Sequence, residues 1–196
     1  MTRYPENTII DLFGGEMMTE STKNVLEERL SVPEKQIPDF FSPPDFRILV
    51  AVSNRLLPQD GARKIDLAGM LDSSLASKTG NGWRYDLMPP DEDSFRRGMN
   101  GIEETSNALF NASFLSLPET RQDEILLAIQ EGHPAGATWN ELPASLFFEE
   151  LLVALTELYY AHPFGREEIG DLSVADKPGW KHIGLNQLEL REPRSL

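Results

Sequence analysis

The sequence predicts an all-α protein, an irregular bundle of about five helices with an extended N-terminal arm and an irregular C-terminal tail. Apolar residues recur at helical spacing in five segments between residues 43 and 160. Proline-marked loops separate these segments, and no segment shows the sustained alternation of a β-strand. The 196 residues, 40% of them hydrophobic, suffice for a globular core.

Residues 1–42 are predicted to form the arm. Thr22 to Leu30 has apolar residues at helical spacing and can form a short helix. Prolines then interrupt an extended stretch that contains Phe40 and Phe41. Two interpretations stay open: the arm packs on its own domain, or it lies on a partner with Phe40 and Phe41 as anchors.

The first two bundle helices have local start and stop signals. Ser42 supplies a capping hydroxyl, two prolines follow it, and Asp45 places a negative charge in the first turn. Pro58 ends this helix. The second helix is predicted over residues 66–77, with leucines facing inward.

The third helix is predicted from Pro89 to about Phe110. Its apolar stripe includes Leu109. Gly98 and Gly101 lie inside it, where each glycine costs roughly 1 kcal/mol relative to alanine. We therefore expect another helix to approach the backbone closely at these positions.

The fourth and fifth helices complete the bundle. Ser116 and Glu119 have the spacing of a capping box, which predicts that the fourth helix starts there. Gly132 is typical of its end. The fifth helix, over roughly residues 143–160, has so wide an apolar face that we expect it to be buried between several neighbours.

The tail, residues 161–196, follows this last helix. It is too irregular to satisfy its own backbone amides, and it contains Phe164 and Trp180 among prolines and glycines. One interpretation is a loop wrapped on its own bundle. The favoured one is a docking surface for a partner, because aromatic anchors are typical of interface centres.

Composition excludes several classes of function. The net charge is −14 and there is no basic patch, so nucleic acid is not expected as a partner. The absence of cysteine excludes disulfides, iron–sulfur clusters and thiolate zinc sites. Three glutamates interrupt the most apolar stretch, residues 142–160, so membrane insertion is not expected. No export signal is recognised, so we expect a cytoplasmic protein; the alternative is a periplasmic one co-exported with a signal-bearing partner.

No motif for catalysis or metal binding is found. The sequence contains no paired Glu-x-x-His, no His-Glu-x-x-His, no Gly-x-Gly-x-x-Gly and no Gly-x-Ser-x-Gly. We expect the three histidines, His133, His162 and His182, to bind no metal. Trp83 and Trp139 are interpreted first as residues that cover their own core, and second as interface residues.

An ordered set of short motifs resembles the small subunit, subunit 3, of gluconate 2-dehydrogenase. The most specific is Phe147-Phe148-x-x-Leu151-Leu152 leading to Tyr160-Ala161-His162-Pro163. The others are Asn54-Arg55-Leu56-Leu57-Pro58, Asp66-Leu67-Ala68 with Leu71-Asp72, Phe110 to Leu117 with Arg121-Gln122, Gly179-Trp180 and Ile183-Gly184.

The resemblance implies an accessory role. The chain would bind and stabilise a large FAD-dependent dehydrogenase of the glucose-methanol-choline type, which oxidises a sugar, sugar acid or glycoside, and it would help that subunit to mature. FAD is expected in the large subunit, with no cofactor and no catalytic residue in this chain; a cytochrome subunit is a further partner left open. The alternative is a free-standing helical binding or regulatory protein. The candidate interface residues are Phe40, Phe41, Tyr160, His162, Pro163, Phe164, Gly165, Trp180, Ile183 and Gly184.

Overall fold

The computed structural model describes residues 5–14, 18–59, 64–80, 82–173, 184, 185, 187 and 188. These residues form eight α-helices and no β-strand, which confirms the all-α prediction. The helices are α1 (Thr8–Asp11), α2 (Glu20–Ser31), α3 (Pro43–Leu56), α4 (Leu67–Ser77), α5 (Asp91–Phe110), α6 (Glu119–Gln130), α7 (Ala144–Ala161) and α8 (Pro163–Ile169). The chain divides into a central unit, residues 34–158, and a terminal unit, residues 1–33 with 159–196.

The central unit contains four of the predicted bundle helices, α3 to α6, and the fifth, α7, up to residue 158. Two of the predicted helix starts are confirmed. The Ser42 hydroxyl accepts the amide hydrogen of Asp45 at 3.3 Å, and the Asp66 carboxylate accepts that of Gly69 at 2.9 Å. The predicted capping box at the start of α6 was wrong. Ser116 lies in the 3₁₀ turn Phe114–Ser116, and its hydroxyl donates to the Ser113 carbonyl at 2.7 Å instead.

The glycines of α5 admit aromatic rings. A Cβ atom on Gly98 would overlap the ring of Phe147, and one on Gly101 would overlap the indole of Trp139. We expected a helix backbone to approach here, but the close neighbours are side chains from α7 and from the 3₁₀ turn Thr138–Asn140. Leu109, predicted to face inward, is exposed at the C-terminal end of α5.

The terminal unit has its own small core. Ile9, Phe13, Met18 and Leu26 are buried together. Helix α2 confirms the helix predicted over residues 22–30, whereas α1 was not predicted. The described part of the N-terminal segment is therefore more helical than the extended arm that the sequence suggested.

The first part of the predicted irregular tail is also helical. His162 caps α8, Pro163 occupies its first position, and Gly170 ends it with a φ of 74°. These are local signals for a short helix, and they lie in the stretch that we interpreted as irregular. The division of the chain into an arm (1–42), a helical bundle (43–160) and a docking tail (161–196) stays a prediction.

Candidate partner interface

The junction between α7 and α8 explains why a histidine precedes the proline here. The His162 Nδ1 atom accepts the amide hydrogen of Phe164 at 3.2 Å, which caps the start of α8. Burial lowers the pKa of His162, so the neutral imidazole that this cap requires is favoured. The structure therefore gives His162 a structural role inside the terminal unit.

Gly165 is required by close packing at the same junction. A Cβ atom at this position would overlap the backbone carbonyl oxygen of Tyr159. Pro163 and Gly165 are buried, Phe164 is half-buried, and Tyr160 is exposed. Tyr160, at 43% exposed, is the most exposed of the candidates in this motif. The proposed contact of these residues with a partner stays a prediction.

Two further contacts fix this motif within the terminal unit. The carboxylate of Glu167, which is completely buried, accepts the amide hydrogens of Asn7 at 3.1 Å and Ile9 at 2.9 Å. The Arg29 guanidinium donates to the carbonyl of Ala161 at 2.6 Å. The N-terminal helices thus cover part of α8, a long-range arrangement that no local pattern in the sequence indicates.

The segment that contains Phe40 and Phe41 is held by one buried carboxylate. Asp72 of α4 accepts the amide hydrogens of Asp39, Phe40 and Phe41 at 2.7, 3.1 and 2.9 Å. It also pairs with the Lys35 ammonium at 2.9 Å. Burial by itself would raise the pKa of Asp72, but these hydrogen bonds outweigh it and the pKa lies below its ordinary value.

Within the central unit Phe41 is buried and Phe40 is half-buried. Phe41 is only 4% exposed, and its ring packs edge-on against that of Phe40 at 4.8 Å. The Arg96 guanidinium lies 3.8 Å from the centre of the Phe40 ring. Phe41 therefore belongs to the chain's own core, and its contact with a partner stays a prediction.

The remaining candidates lie in the distal tail. Trp180 and Ile183 fall outside the described residues. Gly184 is described and is exposed.

Comparison with known protein families shows which family this chain belongs to. The model of the family "Gluconate 2-dehydrogenase subunit 3" matches residues 43–185. The chain belongs to the gluconate 2-dehydrogenase subunit 3 family. No curated protein and no solved structure matches it. The match begins at the first residue of α3, so the N-terminal helices α1 and α2 precede the part that this family model covers.

In this subunit 3 family member, one of two tryptophans is exposed. Both were interpreted first as residues that cover the chain's own core. Trp83 and Leu87, in the loop before α5, are 56% and 75% exposed. Trp139 is half-buried, and its indole N–H donates to Thr105 Oγ1 at 2.9 Å. The first interpretation thus describes Trp139, but not Trp83. No local signal in the sequence separates them, because the Trp139 ring fits against Gly101 of α5, a residue 38 positions away.

The described residues were compared with the requirements of a metal site and of a membrane-spanning helix. Within them, no group of three or more histidines and carboxylates could hold a metal ion. None of the helices in the described ranges combines the length and hydrophobicity needed to cross a bilayer. What the described surface offers is an exposed apolar loop beside acidic side chains, which is an arrangement suited to binding another protein.

Proposed function

We propose that this chain is the non-catalytic small subunit of an FAD-dependent dehydrogenase of the glucose-methanol-choline type. Its function is to bind and stabilise the large subunit, which carries FAD and oxidises a sugar, a sugar acid or a glycoside. The observation that carries the proposal is the family match over residues 43–185. The sequence of this chain contains no glycine-rich nucleotide motif, which is consistent with FAD in the partner.

The surface of the central unit supports a binding role. Large apolar side chains remain exposed on an otherwise well-packed unit, and exposed tryptophans are frequent at protein interfaces. The net charge of −14 favours a partner with a complementary basic surface. A subunit of this kind needs no catalytic residue, because its contribution is the stability of the complex.

A pull-down of the tagged chain from its native cells tests this function. We expect a co-purifying dehydrogenase, identified by mass spectrometry, and flavin bands in the absorbance spectrum of the eluate. A colourless, monomeric chain without a partner would contradict the proposal and favour the free-standing binding protein. Fractionation of the cells before the pull-down tests the expected cytoplasmic location.

Expression of the recovered dehydrogenase with and without this chain tests the stabilising role. We expect the large subunit to lose solubility or flavin content when expressed alone. A large subunit that is equally soluble and equally loaded with flavin in both cases would show that this chain does not stabilise it.

A further inference from the structure

We propose that the large subunit docks on the loop patch, which we define as Trp83, Tyr85 and Leu87 of the loop before α5 with Glu149 and Val153 of α7. The segment of the large subunit that binds this patch presents an apolar side chain flanked by lysine or arginine. This inference rests on the proposed function. It adds to that function a surface made of residues that did not themselves carry the family resemblance.

The patch is apolar and exposed. Trp83 and Leu87 are more than half exposed, and Val153 is 38% exposed. The rings of Trp83 and Tyr85 pack edge-on at 4.8 Å. Val153 lies one turn beyond Glu149 on the solvent-facing side of α7. Apolar side chains grouped in this way typically mark a binding surface.

The loop that carries the patch is fixed to the central unit. The Tyr85 hydroxyl donates to Glu149 Oε1 at 2.6 Å, and the Tyr85 carbonyl accepts the amide hydrogen of Met88 at 2.9 Å. Met88 is buried, and the Ser94 hydroxyl donates to the carbonyl of Pro89 at 2.9 Å. Because the loop is already ordered, it loses little conformational entropy when a partner binds.

The charges around the patch favour a cationic partner. Glu150 Oε1 is buried and has no hydrogen-bond donor among the described residues. Burial raises the pKa of Glu150, and the nearby carboxylates of Asp91, Glu149 and Glu157 raise it further, although a hydrogen bond from the Tyr85 amide opposes them. A lysine or arginine from the partner would relieve this repulsion.

The same charges argue against a second copy of this chain as the occupant. In a symmetric dimer formed through this surface, the acidic side chains of one copy would face those of the other. Arg84 is the only basic residue in the loop, residues 82–88. A partner of opposite charge avoids the repulsion that self-association would create.

Variants of the full-length chain test the surface. Leu87→Asp and Trp83→Ala each remove one apolar contact, and Glu149→Lys reverses the charge. Leu127→Asp and Glu124→Lys are the matched controls on α6, where Leu127 is also half exposed. The probe is the flavoprotein that co-purifies with the wild-type chain, and its dissociation constant is measured by biolayer interferometry.

We expect the patch variants to bind ~10-fold or more weakly than the wild type, and the controls to change the affinity by less than about twofold. The loss caused by Glu149→Lys is expected to shrink at high salt. Circular dichroism and the melting temperature show that each variant is folded. If Leu87→Asp does not fold, the exposed Trp83→Ala decides the outcome.

The outcomes separate the two proposals. Patch variants that are folded and bind as tightly as the wild type overturn the loop patch and leave the accessory role intact. Failure of the wild-type chain to capture any flavoprotein overturns the accessory role and this inference with it. A wild-type dimer in light scattering that Leu87→Asp dissociates would identify a second copy as the occupant, contrary to the inference.

Discussion

Two loops of the central unit are built alike and differ in what covers them. Each contains an edge-on aromatic pair with ring centres 4.8 Å apart, Phe40 with Phe41 and Trp83 with Tyr85. Each is tied to a helix by a carboxylate, Asp72 in the first case and Glu149 in the second. Phe41 of the first pair is buried and Phe40 is half-buried, whereas Trp83 of the second pair is exposed and Tyr85 is half-buried.

The difference shows how local sequence can misplace an interface. Phe40 and Phe41 lie among prolines in a stretch without helical periodicity, and such a stretch resembles a mobile arm. Asp72, more than thirty positions away, gathers three of its amides, and this turns the stretch into part of a folded unit. Exposure is thus decided by a long-range contact and not by composition.

The largest expected effect comes from truncating one ring in each loop. Phe41→Ala should lower the free energy of unfolding by ~3–4 kcal/mol, because it leaves a cavity in a packed core. Trp83→Ala should change it by less than ~0.5 kcal/mol, since most of that side chain is already in water. Urea denaturation of both variants measures the difference. Equal losses of stability would remove the distinction between the two loops.

Neutralising Asp72, the carboxylate that holds the first loop, should lower the free energy of unfolding by a smaller amount. Asp72→Asn should cost about 2–3 kcal/mol, because the amide weakens the hydrogen bonds to the backbone and loses the ion pair with Lys35. Asp39→Asn is the control, since Asp39 pairs with the same lysine from an exposed position. A cost for Asp39→Asn equal to that for Asp72→Asn would place the stabilisation in the ion pair and not in the amides.

The pH dependence of the stabilisation by Asp72 follows from the direction in which its pKa is shifted. The folded pKa of Asp72 lies below its unfolded value of about 3.9. The contribution is therefore present above pH ~4 and is lost as the pH falls through the folded pKa. Thermal melts of the wild type and Asp72→Asn should converge on acidification. Curves that stay parallel down to strongly acidic pH would contradict this assignment.

The smallest change in the free energy of unfolding is expected at Glu150. Its sign is opposite to that of the change at Asp72. Because its folded pKa is raised, ionisation of Glu150 destabilises the folded chain as the pH rises from about 4.3 through the raised pKa. Glu150→Gln should therefore stabilise the isolated chain at neutral pH by about 0.5 kcal/mol while weakening its binding to the partner. Melting curves of the isolated variant measure the change in stability, and binding curves with the flavoprotein measure the change in affinity. A variant that is less stable and binds more tightly would refute the role of the Glu150 charge.

Much of the central bundle was predictable because its signals are local. Ser42 and Asp66 lie only three residues before the amides that they cap, and the apolar periodicity of α7 spans the whole helix. The fourth helix begins close to the predicted position, but the capping box predicted there does not form, because the Ser116 hydroxyl donates to a nearby acceptor, the Ser113 carbonyl. Helices α1 and α8 were missed because short helices carry weak periodicity.

The candidate site was less predictable than the fold. The family resemblance indicated an interface at the end of α7, and the structure assigns His162 and Gly165 of that motif to the internal packing of the terminal unit. Two tryptophans looked equivalent in the sequence, and only the space left by Gly101 distinguishes the half-buried Trp139 from the exposed Trp83. Such a distinction depends on contacts between distant segments.

Analytical ultracentrifugation with detection of the flavin absorbance tests the account most directly. The flavoprotein recovered with the wild-type chain is sedimented alone and after addition of wild-type, Leu127→Asp or Leu87→Asp chain. We predict that the flavin boundary sediments faster with the wild type and with Leu127→Asp, and does not move with folded Leu87→Asp at the same concentration. A boundary that moves equally with all three chains would contradict docking on the loop patch, and one that moves with none would contradict the accessory role itself.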